Sequence, residues 1–166
     1  MAANYLTFQS PSSFTLNIYD NTKHWNGTLY YSTDTTTWNA WDGTTTLSSV
    51  DNKLYLRGKG NTVITGNSQS YGWVLAGSNI ECIGNIENLL DWEVVESGNH
   101  PPMGPYCYAY LFCGTTDQPE SNPFTAEGVN ARILAQIKPE TQFMTKYDPN
   151  NVAPDRIPKL QLMIEL

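Results

Sequence analysis

Charge is scarce in this chain. Asp, Glu, Lys and Arg make up 15% of its 166 residues, against about 25% in an ordinary soluble domain. Scarcest are Lys and Arg, 9 against 16 carboxylates, and they are scattered along the sequence. Phosphate binding needs clustered cations, so nucleic acid is excluded as the default partner. The net charge of −7 reads first as a device for solubility. No apolar run approaches the roughly 18 residues of a membrane span, and no membrane partner is expected. The opening MAANYLTFQSPSS lacks a basic n-region and an apolar h-region, which predicts no Sec signal. Cysteine is rare and odd in number. Cys82, Cys107 and Cys113 argue against a disulfide framework and fit synthesis in a reducing cytoplasm.

Aromatics are what the chain does have. Five Trp, ten Tyr and five Phe must be buried or used, which excludes a disordered composition. Polarity comes from Thr, Ser and Asn, residues of strands and turns. At this length a single domain with a genuine core is expected, with room for an appendage.

The segment from Gly27 to Gly60 organises the rest. Leu29–Ser32 and Lys53–Arg57 alternate apolar and polar residues, and Thr35–Trp41 between them is rich in Thr and Trp. Turn chemistry separates them at Asp34, at Asp42-Gly43 and at Asp51-Asn52. Further strands are predicted over Asn4–Phe8, Phe14–Ile18, Thr62–Thr65, Tyr71–Gly77 and Asn79–Ile83. About eight strands at spacings of about ten residues predict a mainly β fold, an antiparallel, jelly-roll-like β-sandwich over residues 1–85. A short helical insert follows over 86–114, with a helical turn at Glu87–Trp92 and a short helix at Tyr106–Phe112. Residues 115–166 read as a linker and an extended C-terminal assembly arm. The segment Tyr147–Pro158 contains three prolines, and Leu160, Leu162, Ile164 and Leu166 then share one face of an alternating strand. Such a strand can complete the sheet of a neighbouring subunit.

The stretch YYSTDTTTW…WDGTTTLSSVDNKLYLRGKGN resembles the β-sandwich module that precedes BspA-like leucine-rich repeats in gut bacterial surface and prophage proteins. The likeness continues through Ser78–Ile80 and Gly84–Leu90 and ends at YCYAYLFCG (106–114), similar to the first unit of such a repeat array. It covers roughly residues 4–114. The resemblance implies a non-enzymatic module on a phage particle or a cell surface and brings no catalytic residues. After Gly114 the repeats should continue and do not, so this chain keeps the module and replaces the array.

The residues for catalysis are present but in no catalytic pattern. Asp20, Asp34, Asp42, Asp51 and Glu87 could supply a glycosidase carboxylate pair, but three of them occupy turns where Asp is ordinary. His100 with Cys107 or Cys113 lies in no nucleophile motif. The same cysteines with Cys82 and His100 have the wrong spacing for zinc, and small buried residues are the better reading. No catalytic residue, metal or cofactor is expected.

Two surfaces remain as candidates. Trp38, Trp41, Tyr30 and Tyr55 could bind a glycan or a protein, against the plainer reading in which Trp38 and Trp41 flank a turn and cap the sandwich. Glu81, Glu87, Asp91, Glu93 and Glu96 form an acidic stretch, either a solvated face or a contact for a basic partner. The leading expectation is a structural or adhesive component of a phage particle such as a capsid decoration, head-fibre or tail-associated protein. It would be made in the bacterial host cytoplasm, located in the virion and partnered by other virion proteins or by itself. The alternatives are a carbohydrate-binding module on a virion or bacterial cell surface, and an acidic inhibitor of a host protein.

Overall fold

The computed structural model describes residues 3–78, 80–104, 106–108 and 111. Among them, eight strands form two antiparallel sheets that close on one core, an antiparallel β-sandwich with one short helix. The strands are β1 (Leu6–Gln9), β2 (Thr15–Ile18), β3 (Thr28–Ser32), β4 (Asn39–Ala40), β5 (Leu47–Ser48), β6 (Lys53–Lys59), β7 (Trp73–Ala76) and β8 (Glu81–Ile83). Helix α1 spans Asn88–Glu96. The larger sheet runs β4-β3-β6-β1-β8 and the smaller β5-β2-β7.

Period-2 alternation decides which face each strand buries. In β6 it turns Leu54, Leu56 and Gly58 inward and leaves Tyr55 and Arg57 half-buried between exposed Lys53 and Lys59. Leu6 and Phe8 of β1 stand opposite Leu56 and Leu54. Leu16 and Ile18 of β2 stand opposite Leu75 and Trp73 of β7. These side chains meet in a single apolar cluster, which also takes in Ile86, Leu89, Leu90, Cys107, Tyr108 and Leu111. The last three reach it because carbonyls of this segment accept strand-like bonds. Ile64 and Thr65 donate to the Cys107 oxygen at 2.8 and 3.2 Å, and Trp73 donates to the Leu111 oxygen at 2.7 Å.

The expected strand at Thr35–Trp41 is instead a tight turn and the two-residue β4. Asp34 accepts backbone bonds from Thr36 at 2.9 Å and Thr37 at 2.7 Å, and Thr35 takes φ 67°, so the chain cannot run extended until Asn39. The expected strand at Thr62–Thr65 is irregular. Asn26 Oδ1 captures the N–H groups of Thr62 and Val63, and Cys107 takes the next two. Strand β5 gave no sequence signal, being two residues long.

Helix α1 breaks at Asp91, whose φ −161° and ψ 102° are extended. Asp91 acts as an internal N-cap, its Oδ1 accepting from Glu93 at 3.1 Å and Val94 at 3.3 Å, while Oδ2 accepts from the Gly60 N–H. The break lets Leu89 and Leu90 sit in the core while Trp92, two residues beyond Leu90, reaches Tyr30, Arg57 and Lys59 outside it. Buried Asn61 ties this corner together. It accepts from Gly27 N–H at 2.6 Å and donates to the Thr28 and Leu89 carbonyls at 2.8 and 3.1 Å.

Of the short helix expected at Tyr106–Phe112, residues 106–108 and 111 are in turns, Leu111 N–H donating to Tyr108 O at 3.1 Å; residues 109, 110 and 112 lie outside the described set. The proposed arm, with Leu160, Leu162, Ile164 and Leu166, lies there too.

Candidate functional site

The outward face of the larger sheet is built on β6. Its alternate residues Lys53, Tyr55, Arg57 and Lys59 form one row, with Tyr30 of β3 directly opposite Arg57 and Thr7 of β1 opposite Tyr55. The turn after β3 brings in Trp38, whose indole N–H donates to Thr35 O at 3.2 Å. The break at Asp91 brings in Trp92. The result is a ladder. The Arg57 guanidinium carbon lies 4.1 Å from the ring centroid of Trp38 and 4.1 Å from that of Trp92. Tyr5 tilts against Trp38 at 5.7 Å and meets Tyr55 edge-on at 5.3 Å, and Tyr30 meets Trp92 edge-on at 5.7 Å.

Polar groups frame these rings. Arg57 Nη1 donates to Asn4 Oδ1 at 3.3 Å, and Asn4 Nδ2 donates to Glu96 Oε1 at 2.6 Å. Lys59 pairs with Glu93 at 2.8 Å. Desolvation lowers the Arg57 pKa, with Glu96 and Glu93 opposing the shift, and the guanidinium stays charged. The bond to Glu93 chiefly raises the Lys59 pKa.

Of the four aromatics expected to form a site, the structure brings Trp38, Tyr30 and Tyr55 together and removes Trp41. Trp41 is 3% exposed, stacked on Trp25 at 5.0 Å and edge-on to Trp73 at 5.7 Å. The D-G turn puts it there. Asp42 Oδ1 accepts from the Thr44 and Thr45 N–H groups, both at 2.8 Å, and the Thr45 carbonyl then accepts the Trp41 indole N–H at 2.8 Å. A ring so placed offers no face to a ligand. Sequence reasoning missed Tyr5, Arg57 and Trp92. Arg57 was findable, two residues beyond Tyr55 on the same strand face, whereas Trp92 depends on the break in α1.

The geometry limits the chemistry. A pyranose needs an open aromatic face, and one face of Trp38 and one of Trp92 already carry the guanidinium. What the ladder presents is a surface of tyrosines, indoles and a cation held between them.

Elsewhere, carboxylates are committed to structure. Backbone N–H groups of Thr37 and Thr36 hold Asp34 well below the usual carboxylate range, and those of Thr45 and Thr44 lower Asp42 to about 2. Asp20 accepts from His24 Nε2 at 2.9 Å, with the imidazole stacked on Tyr71 at 3.7 Å. Buried Glu87 pairs with His100 Nδ1 at 2.7 Å. Cys82 and Cys107 are buried free thiols whose pKa values burial pushes up. Among the described residues no cluster of three or more His, Cys, Asp or Glu could hold a metal, and no helix is long and apolar enough to cross a membrane.

Compared with known proteins, the chain matches no family model, no curated protein and no solved structure.

Proposed function

We propose that this chain is a non-enzymatic structural or adhesive component of a phage particle, working by protein–protein assembly through the outward face of its larger sheet. The observation that carries the assembly reading is the Trp38–Arg57–Trp92 ladder flanked by Tyr5, Tyr30 and Tyr55. Trp, Tyr and Arg are the side chains that dominate protein interfaces, and here they are held in place before any partner arrives. The phage setting rests on the resemblance of residues 4–114 to the module before BspA-like repeats.

The alternatives draw less support. A carbohydrate-binding module loses Trp41 to the core and one face each of Trp38 and Trp92 to Arg57. An acidic inhibitor would need an unopposed acidic face, yet Glu93 lies against Lys59, Glu96 near Arg57 and Glu87 against His100.

Fractionation of an infected or induced host lysate tests the proposal. The protein is expected to co-sediment with intact virions; recovery wholly in the soluble lysate would overturn the phage-particle reading.

A further inference from the structure

We infer that the outward face of the larger sheet docks on the same face of a second copy of this chain, as a two-fold, face-to-face dimer. The inference rests on the assembly reading in taking this face as a protein contact, and adds the identity of the partner.

Three observations select a second copy. First, a two-fold interface places one patch against itself, so the patch must carry both halves of each polar contact. This face does. Arg57 and Lys59 of β6 stand beside Glu93 and Glu96 of α1, and Lys53 lies further along the same strand face. Second, those three cations balance Glu93, Glu96 and Asp91, the last also acting on Lys59, while the whole chain carries −7. Copies of an acidic protein repel each other, and they repel least where the local charge is balanced. Third, the arrangement is that of an interface, with aromatics at the centre and polar groups around them. Tyr5, Tyr30, Tyr55, Trp38 and Trp92 are half-buried, and Asn4, Glu93, Glu96, Lys53 and Lys59 lie about them. The clamp on Arg57 fixes the rings in advance, which removes part of the ordering cost that association must overcome.

Sedimentation velocity of the full chain across a concentration series is the first test, and a monomer–dimer equilibrium is expected. Thr7→Asp and Tyr55→Asp each put a new carboxylate on this face without entering the core. Each is expected to raise the dimer Kd at least about tenfold. Tyr19→Asp, at an exposed position (67%) beside the smaller sheet, is expected to leave the Kd unchanged. Hydroxyl-radical footprinting of the unmodified protein needs no variant to fold. Tyr55, Trp38 and Trp92 are expected to become protected as concentration rises, and Tyr19 to stay reactive. A monomer at every concentration, an oligomer indifferent to both face substitutions, equal weakening by Tyr19→Asp, or no protection of the ladder would each overturn the inference. A protein that co-sediments with virions yet remains a monomer would retain the assembly reading and lose this one.

Discussion

The carbonyl oxygen of Leu89 occupies the space that any side chain at Gly58 would need. A Cβ built on Gly58 collides with this oxygen and with the Leu89 carbonyl carbon behind it. The glycine therefore acts by absence, letting α1 lie directly on β6 so that Trp92 can reach the other side of the sheet. Gly58→Ala is expected to cost at least about 2 kcal/mol, because the obstacle is backbone and cannot rotate away. It should also dissolve the Arg57–Trp92 contact. Urea denaturation and near-ultraviolet circular dichroism measure the two effects, and a variant of wild-type stability with its aromatic signal intact would contradict this account.

Trp38 and Trp41 should part company on mutation. Trp41→Ala empties a position between Trp25 and Trp73 in the core, and a loss of about 3–5 kcal/mol is expected. Trp38→Ala removes one wall of the Arg57 clamp on the outer face, and about 1 kcal/mol is expected. Equilibrium unfolding of the two variants decides it; equal losses would mean that the ladder belongs to the core.

The clamp itself should depend on guanidinium shape as well as charge. Arg57→Lys keeps a cation but not a flat group that can lie between two indoles 4.1 Å to either side. A loss of about 1–2 kcal/mol is expected, and a double-mutant cycle with Trp92→Ala should show coupling between the two positions. Strict additivity would remove the ladder from the account of stability.

Acid should loosen the turns at Asp34 and Asp42. Both pKa values are depressed in the folded chain, from an ordinary value of 3.8 to about 2 for Asp42 and further for Asp34. Their contribution is therefore fully present above about pH 4 and is lost as the pH falls through the folded values. Asp42→Asn should flatten the stability profile between pH 4 and 2 relative to wild type, with most of its cost visible at neutral pH. An unchanged acid limb would show that the backbone N–H groups do not favour the carboxylate.

The buried thiols should be inert. In a Cys113→Ser background, Cys82 and Cys107 are expected to react with a maleimide only on unfolding, since burial disfavours the thiolate at both. Rapid labelling of the native protein would place one of them at the surface.

Local pattern was enough for much of the sandwich. The alternation of Phe14–Ile18, Leu29–Ser32 and Lys53–Arg57 marks strands because side chains on a pleated strand alternate by geometry alone. Asp34 and Asp42 were legible as turn residues, since an Asx side chain bonds its own backbone two and three residues on. Segments whose hydrogen bonds are spent non-locally could not be read in this way. Thr62–Thr65 has the composition of a strand, yet its N–H groups go to Asn26 and Cys107, partners 36 or more residues away.

The candidate site divides in the same manner. Sequence named Trp38, Tyr30 and Tyr55 as aromatics to be accounted for, and the alternation of Lys53–Arg57 could have added Arg57 from the same strand face, because these follow from spacing within single elements. It could not separate Trp38 from Trp41, three residues apart and alike in composition. Tertiary structure did so, by turning one indole out onto Arg57 and folding the other between Trp25 and Trp73. Nor could it recruit Trp92, which joins the ladder because α1 breaks at Asp91 and because Gly58 lets the helix backbone come close enough. Spacing along the chain fixes which residues share a face; which faces meet depends on packing between segments distant in sequence.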